Sequence, residues 1–249
     1  MTDTKKLIAG NWKMNGLLAD GRERALQLAE RVGELSYLGF DMVLCPPATL
    51  IAPVVEILVE KKSKISCGGQ DCHAEVSGAY TGNISAQMLE DMGCSHVIVG
   101  HSERRQYHQE TSETVAAKAR AAHAAGLVAI ICVGETDAER TAGKADDVVS
   151  RQLSLSLPDT VTPMNTVVAY EPVWAIGTGK TASIDDIAGM HKLIRQSVGK
   201  GIKILYGGSV KGSNAPEILH IPDVDGVLVG GASLKVDEFM SIALASIVN

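Results

Sequence analysis

No Pro/Gly/Ser-rich linker, low-complexity stretch or block of like charge interrupts the 249 residues. A single domain over 1–249 is therefore expected, although the length would allow two. Basic residues are not in excess: 23 Lys and Arg against 29 Asp and Glu leave a net charge of −6. Without a basic stripe, nucleic-acid binding is not the main task, though a local basic site stays open. Apolar runs are short, and Leu127–Val133 falls far below the ~20 residues of a membrane-spanning helix. The opening MTDTKKLIAGNW lacks the apolar core of a secretion signal, so the cytoplasm is the expected compartment. Cysteines are few and odd in number, five in all, and read as free thiols in a reducing environment. Cys67, Cys72, His73, Cys94 and His96 show neither CxxC nor HxxxH spacing, so no metal site is expected.

What the sequence does have is repetition. Short β-branched runs occur at Leu7–Gly10, Met42–Cys45, Lys64–Cys67, His96–Val99, Val128–Val133, Thr166–Tyr170, Lys203–Tyr206 and Gly226–Val229. Between them lie helix-like stretches at Arg22–Val32, Leu50–Leu58, Ser85–Met92, Glu113–Ala125, Asp146–Leu157, Ile184–Val198, Asn214–Leu219 and Val236–Ile247. Alternation of this kind makes βα units and a parallel sheet. Eight units in this length predict an α/β fold: a closed (β/α)8 barrel of eight parallel strands inside a ring of helices. A doubly wound sheet would usually carry a glycine fingerprint after its first strand. Here Asn11-Trp12-Lys13 follows instead.

In such a barrel, polar residues after the strands share one rim. Asn11 and Lys13 follow the first strand, His101-Ser102-Glu103 the fourth and Glu171 the sixth. Gly207-Gly208-Ser209 follows the seventh, and Gly230-Gly231 the eighth. Each alone has a bland reading as a solvated lysine, a structural histidine or a simple turn. Their shared position is what the bland readings do not explain. The stretch VVAYEPVWAIGTGKT, Val167–Thr181, is the centre of the set. Val167, Val168 and Ala169 suit a strand buried on both faces, and Pro172 ends it at the carboxylate of Glu171. The apolar segment Val173–Ile176, between Pro172 and the glycines at 177 and 179, reads as a lid over that carboxylate. The GKT at 179–181 resembles the tail of a nucleotide-binding loop, but Trp174 stands where its first glycine is required.

The glycine pairs after strands seven and eight suit a phosphate, because glycine lets backbone N–H groups approach an anion closely. Gly177 and Ser209 could add donors. A carboxylate, a histidine, a lysine and an asparagine then remain. That inventory suits removal of a proton beside a carbonyl, with donors stabilising the enediolate. Glu171 is the candidate base. His101 precedes a plausible helix start, which disfavours the imidazolium and leaves a neutral ring that donates its N–H.

The motifs AGNWKMN (9–15), GAYTGNIS (78–85), VGHSERR (99–105), VAYEPVWAIGTGKTAS (168–183), YGGSVK (206–211) and VLVGGASL (227–234) give the chain a resemblance, end to end, to the triosephosphate isomerase family. That family is itself the usual illustration of a carboxylate base, a neutral histidine and a closing lid. The resemblance implies cofactor-free interconversion of dihydroxyacetone phosphate and glyceraldehyde 3-phosphate in glycolysis and gluconeogenesis. It implies that Glu171 shuttles the proton, His101 polarises the carbonyl, Lys13 supplies positive charge, Asn11 orients substrate and Glu103 supports the network. Gly177, Ser209, Gly230 and Gly231 would hold the phosphate. Trp174 would anchor the lid on Tyr170 or Glu135, and Tyr206 would bond the closed lid. It also implies a homodimer through loop Gln70–Ile84 and Met14, with Thr81 approaching the partner's active site. Asn83 stands where the family has glutamate, and Ile184-Asp185-Asp186 replaces a proline-led helix start. Three other readings exist: a sugar-phosphate epimerase, which would want metal ligands or opposed carboxylates; a Schiff-base aldolase, which would want a lysine deep in the barrel; and a non-catalytic sugar-phosphate sensor, which would not need to keep lysine, histidine and glutamate together.

Overall fold

A computed structural model describes residues 5–176 and 181–247. Its strands are β1 (Lys6–Asn11), β2 (Phe40–Cys45), β3 (Ser66–Gly69), β4 (His96–Val99), β5 (Val128–Val133), β6 (Thr166–Tyr170), β7 (Lys203–Tyr206) and β8 (Gly226–Val229). They pair in sequence order, all parallel, and β8 returns to β1 with Val227 beside Ile8. The closed barrel is the fold the alternation predicts.

Period-two alternation explains why the strands are apolar on both faces. Leu7, Ala9, Val43, Ile130, Val167 and Ala169 share a core that fills the barrel. Ile8, Leu44, Ile131 and Val168 belong to a second core under the helices. Continuing the inward parity carries Asn11 past Leu7 and Ala9, and Glu171 past Val167 and Ala169, to the inner side of the rim. Asn11 is thus the last residue of β1 rather than part of the loop after it.

The helices are α1 (Leu18–Gly33), α2 (Ile51–Glu60), α3 (Ala86–Asp91), α4 (Ser102–Tyr107), α5 (Ser112–Ala124), α6 (Asp137–Thr141), α7 (Ala145–Ser156), α8 (Ile184–Val198), α9 (Ala215–Leu219) and α10 (Val236–Leu244). Long ones are amphipathic: α1 buries Ala25, Leu28, Ala29 and Val32 along one stripe. One helix per strand is too few, because β4 and β5 are each followed by two. The extra helices, α4 and α6, have almost no buried face; caps define them instead. Thr136 and Glu139 close a reciprocal cap on α6, and the His101 ring caps α4. At α8 the same device, Ser183 with Asp186, starts the helix without a proline.

The third strand lies two residues later than the run Lys64–Cys67 suggests. Gly68 and Gly69 have low intrinsic strand preference but fit where larger residues do not. A Cβ on Gly68 would meet the His96 carbonyl oxygen at 2.9 Å, and one on Gly69 would meet Leu89 at 2.6 Å. A sharper constraint holds the ends of β5 and β6 together. A Cβ on Gly134 would fall 1.8 Å from the Glu171 carbonyl oxygen, and Glu171 N–H donates to Val133 O over 2.8 Å. Glycine beyond β5 therefore lets the backbone of Glu171 pack directly against its neighbour.

Candidate active site

At the carboxyl end of the barrel a cavity of about 310 Å³ is lined by Asn11, Lys13, His101 and Glu171 on one side. Ser209, Gly230 and Gly231 line it on another, with Ile176 and Leu228 as apolar flanks. A second, larger cavity of about 640 Å³ lies behind Glu171 under Trp174 and Ile176. It shares Glu171 and Ile176 with the smaller cavity but none of Lys13, His101 or the glycine turns, so the smaller cavity is the one that brings the candidate residues together. Gly177 lies outside the described residues.

Glu171 is 2 % exposed. Its Oε1 is 2.8 Å from His101 Nε2, and its Oε2 accepts the Ser102 N–H, at the start of α4, over 2.8 Å. Burial works against this charge. The His101 ring, the Ser102 N–H and the Lys13 ammonium outweigh it and hold the carboxyl below its ordinary pKa. His101 is also buried. Burial disfavours its charged form, yet the adjoining Glu171 carboxylate moves the ring's pKa upward. That shift holds only while Glu171 stays against the ring. The hydrogen bonds assign the tautomer: Nδ1 accepts the Glu103 N–H over 3.2 Å, leaving Nε2–H to face Glu171. A protonated Nδ1 would oppose the Glu103 N–H, so the neutral ring fits this helix start.

Lys13 Nζ donates to Glu103 Oε1 over 2.6 Å, and Asn11 Oδ1 accepts the Lys13 N–H at 3.0 Å. Lys13 Cε runs 3.3 Å from where a Cβ on Gly230 would stand, so the ammonium overlies the last glycine turn. Ser209 Oγ donates to Ala175 O, in the lid, over 2.8 Å.

Known proteins agree on one family. The triosephosphate isomerase family model matches residues 6–246. The chain is 55% identical to a triosephosphate isomerase of Afipia carboxidovorans, with 97% of each covered. It is 54% identical to one of Rhodopseudomonas palustris, with 96% of each covered. A solved triosephosphate isomerase of Bartonella henselae superposes with a TM-score of 0.89 at 45% identity, covering 98% of this chain and all of that one. The chain belongs to the triosephosphate isomerase family. As a member it is an aldose–ketose isomerase that interconverts dihydroxyacetone phosphate and D-glyceraldehyde 3-phosphate.

Of the two partners the resemblance implies for Trp174, Glu135 is engaged. Trp174 Nε1 donates to Glu135 Oε1 over 2.7 Å, and the Tyr170 hydroxyl donates to the same oxygen over 3.1 Å. Arg140 stacks on the indole at 4.5 Å and pairs with Glu135 and Asp186. Tyr206 has a hydrogen bond from the backbone at Ala182, beyond the lid.

Some supporting residues escape a sequence reading. Lys13 adopts φ 51°, a left-handed conformation that costs a lysine energy unless its surroundings impose it. Gln70 does so: its amide donates to Lys13 O over 2.8 Å and to Cys45 O over 2.9 Å. Arg105 donates to Gly100 O, Cys132 O, Ser112 and Ser156, fastening the loop that carries His101 to β5. Only its place in VGHSERR hinted at it. At the base of the loop after β3, Asp71, Arg104, Glu110 and Lys118 form one ion network with contacts of 2.5–3.0 Å.

Proposed function

We propose that Glu171 is the base of the isomerisation and His101 its electrophile, within one catalytic barrel formed by residues 1–249. The observation that carries this is the 2.8 Å contact of His101 Nε2 with Glu171 Oε1 inside the cavity. A carbonyl oxygen facing His101 and the adjoining carbon facing Glu171 would divide that contact between them. Glu171 takes the proton from the carbon beside the carbonyl, and the electron pair moves to the oxygen as an enediolate. His101 Nε2–H donates to that oxygen, and the Lys13 ammonium balances its charge. A proton passes from the hydroxyl oxygen to the former carbonyl oxygen by way of His101 Nε2, and Glu171 returns its own proton to the neighbouring carbon. The route moves only protons, so it balances without a cofactor or a metal.

Asn11 orients the substrate and Glu103 steadies Lys13. Ser209 and the glycine turns at Gly230 and Gly231, with Gly177, hold the phosphate. This favours an enzyme over a sugar-phosphate sensor, because a sensor has no use for a base against a donor. The purified chain, assayed with glyceraldehyde 3-phosphate in the presence of EDTA, should turn over. Absence of turnover would remove the assignment.

We further propose that the chain is a homodimer through loop Gln70–Ile84 and Met14, with Thr81 near the partner's active site. Large apolar side chains stand in water on these segments: Met14 is 95% exposed, and Val76 and Tyr80 on the loop are exposed too, as are Met88 and Met92 on and just after the adjoining α3. The loop is built to protrude: His73 N–H bonds Ile84 O at its neck, the His73 ring packs on Tyr80 at 4.1 Å, and the ion network grips its base. Asn83 donates weakly within the loop, to Tyr80 O at 3.5 Å. Its missing charge at an exposed rim is worth only about 0–1 kcal/mol. Met14→Arg would bury an unpaired charge at a cost of several kcal/mol. Sedimentation should show a wild-type dimer and a mutant monomer with little activity; a fully active wild-type monomer would overturn the proposal. The cytoplasm is the proposed compartment. All five cysteines are free and buried, which suits reducing surroundings, and no helix among the described residues is long and apolar enough to cross a membrane.

A further inference from the structure

Arg24 lies outside the barrel wall on α1, next to the exposed Arg22 and Glu23, where an arginine is usually solvated. Here it is half-buried. Its guanidinium carbon stacks 4.6 Å from the centre of the Trp12 ring, and Trp12 is fully buried. Arg24 Nε donates to Leu234 O over 2.9 Å. Its Nη1 lies 3.5 Å from where a Cβ on Gly16 would stand. Trp12 and Gly16 bracket Lys13, and Leu234 ends the turn that Gly231 begins. In that turn Ser233 Oγ reaches Asn11 O at 3.5 Å and Gly230 O at 2.7 Å. The loops after β1 and β8 thus meet on both sides of the wall. Inside, Lys13 overlies Gly230; outside, one side chain clasps both loops.

We propose that Arg24 is a positioning residue for the phosphate end of the active site, fixing the Lys13 ammonium relative to the Gly230–Gly231 turn by clasping Trp12 and Leu234. The proposal rests on the reading of that turn as the phosphate site. Arginine suits the task because its planar fork stacks on an aromatic face while its edge donates; lysine, a compact charge, does not do both. An anion held between an ammonium and backbone N–H groups feels any drift of one against the other. Loosening the clasp therefore weakens phosphate binding before it slows proton transfer at Glu171, which follows β6 and bonds the start of α4.

The test compares Arg24→Met, Arg24→Lys and, on the same helix, Arg22→Met, whose contact with Glu56 is an exposed one of 3.5 Å. The readouts are KM and kcat for glyceraldehyde 3-phosphate and the inhibition constant of inorganic phosphate, taken well below each variant's unfolding midpoint. Arg24→Met should raise KM and the phosphate constant together by roughly three- to tenfold, the scale of one net hydrogen bond, with kcat within about twofold. Arg24→Lys should fall between it and wild type, and Arg22→Met should match wild type. If Arg24→Met lowered the unfolding midpoint but left KM and the phosphate constant unchanged, Arg24 would be a structural brace and the proposal would fall. If phosphate failed to compete even in wild type, the phosphate-site reading would fail first and take this inference with it.

Discussion

At the amino ends of the strands, Arg195 donates to Asp223, Asp225, Gly199 O and Ile202 O. Lys203 donates to Asp41 and Lys5 O, and Lys6 to Val224 O. At the carboxyl ends, Lys13 holds one carboxylate, and Glu171 holds one ring and one N–H, all beside a cavity. The lower charges tie strand to loop and close the barrel. Lys13 and Glu171, on the proposed assignment, have partners that a substrate can replace. On that assignment the same residue types serve stability at one end and chemistry at the other, in keeping with the division expected of this barrel. Substitutions at the upper end should therefore change rate more than folding, and acid should reach the lower end through folding.

The largest effect should come from Glu171→Gln, which keeps the size and removes the proton acceptor. General-base contributions are about 10²–10⁴-fold, and a sole base should reach the upper end. Binding of a phosphate-bearing analogue should survive, and stability should fall modestly, because the partners that hold the carboxyl below its ordinary pKa lose the charge they hold. Near-normal turnover would mean that another group takes the proton. Lys13→Met comes next. Substrate and enediolate are both anionic, so losing the ammonium should impair KM and kcat together. Ordinary substrate affinity in the mutant would show the glycine turns acting alone.

The upper end was the more legible of the two. Inward parity from Val167 to Glu171, and paired glycines after Tyr206 and Val229, are local patterns, and a barrel places them on one rim. What stayed hidden needs partners far along the chain. Nothing around Lys13 announces φ 51°, because Gln70 imposes it from 57 residues away. Arg24 sits in an ordinary helix surface by sequence and acquires its partners only when β8 closes on β1. The sequence pattern puts strand three two residues early because Gly68 and Gly69 serve close packing, against their own propensity. The short helices α4 and α6 do not stand out as separate elements in the sequence because caps, not apolar periodicity, make them.

The lower half carries the third prediction. His96, at the start of β4, and His191, bonded to Asp223 O, are both held neutral. Burial lowers each ring to a pKa of about 4; Lys203 adds to this at His96 against Asp41, and at His191 the Asp223 carbonyl and the charge of Asp225 only partly oppose it. The unfolded rings titrate near 6.5. Between about pH 6.5 and 4 the unfolded chain therefore binds more protons, and stability falls as pH falls. The slope from both rings is at most about 2–3 kcal/mol per pH unit. Urea unfolding at pH 7 and pH 5 should show the loss, and His191→Gln should flatten it by about half. An unchanged slope in the mutant would assign acid sensitivity to other groups.

The smallest effect concerns how burial acts at the upper end, where charge survives. At His191 desolvation has already won and the group is neutral. At Glu171 the same penalty is overridden by His101, the Ser102 N–H and Lys13. When the lid closes over a substrate, Glu171 must give up His101 and Ser102, and Ile176 and Leu228, which already flank it, displace water. The carboxyl then loses its stabilising partners and its solvent together, so its pKa should rise. A free enzyme with Glu171 ionised well below neutral pH would become, on closure, one whose base binds its proton more strongly. Binding an anionic enediolate analogue at pH 7 should accordingly take up protons, measurable by calorimetry in buffers of different ionisation enthalpy. Ile176→Ala opens the apolar flank to water and should reduce that uptake, with a modest loss of analogue affinity. Equal uptake in wild type and mutant would mean that the flank does not set the base strength, and that the partners lost from His101 and Ser102 do so alone.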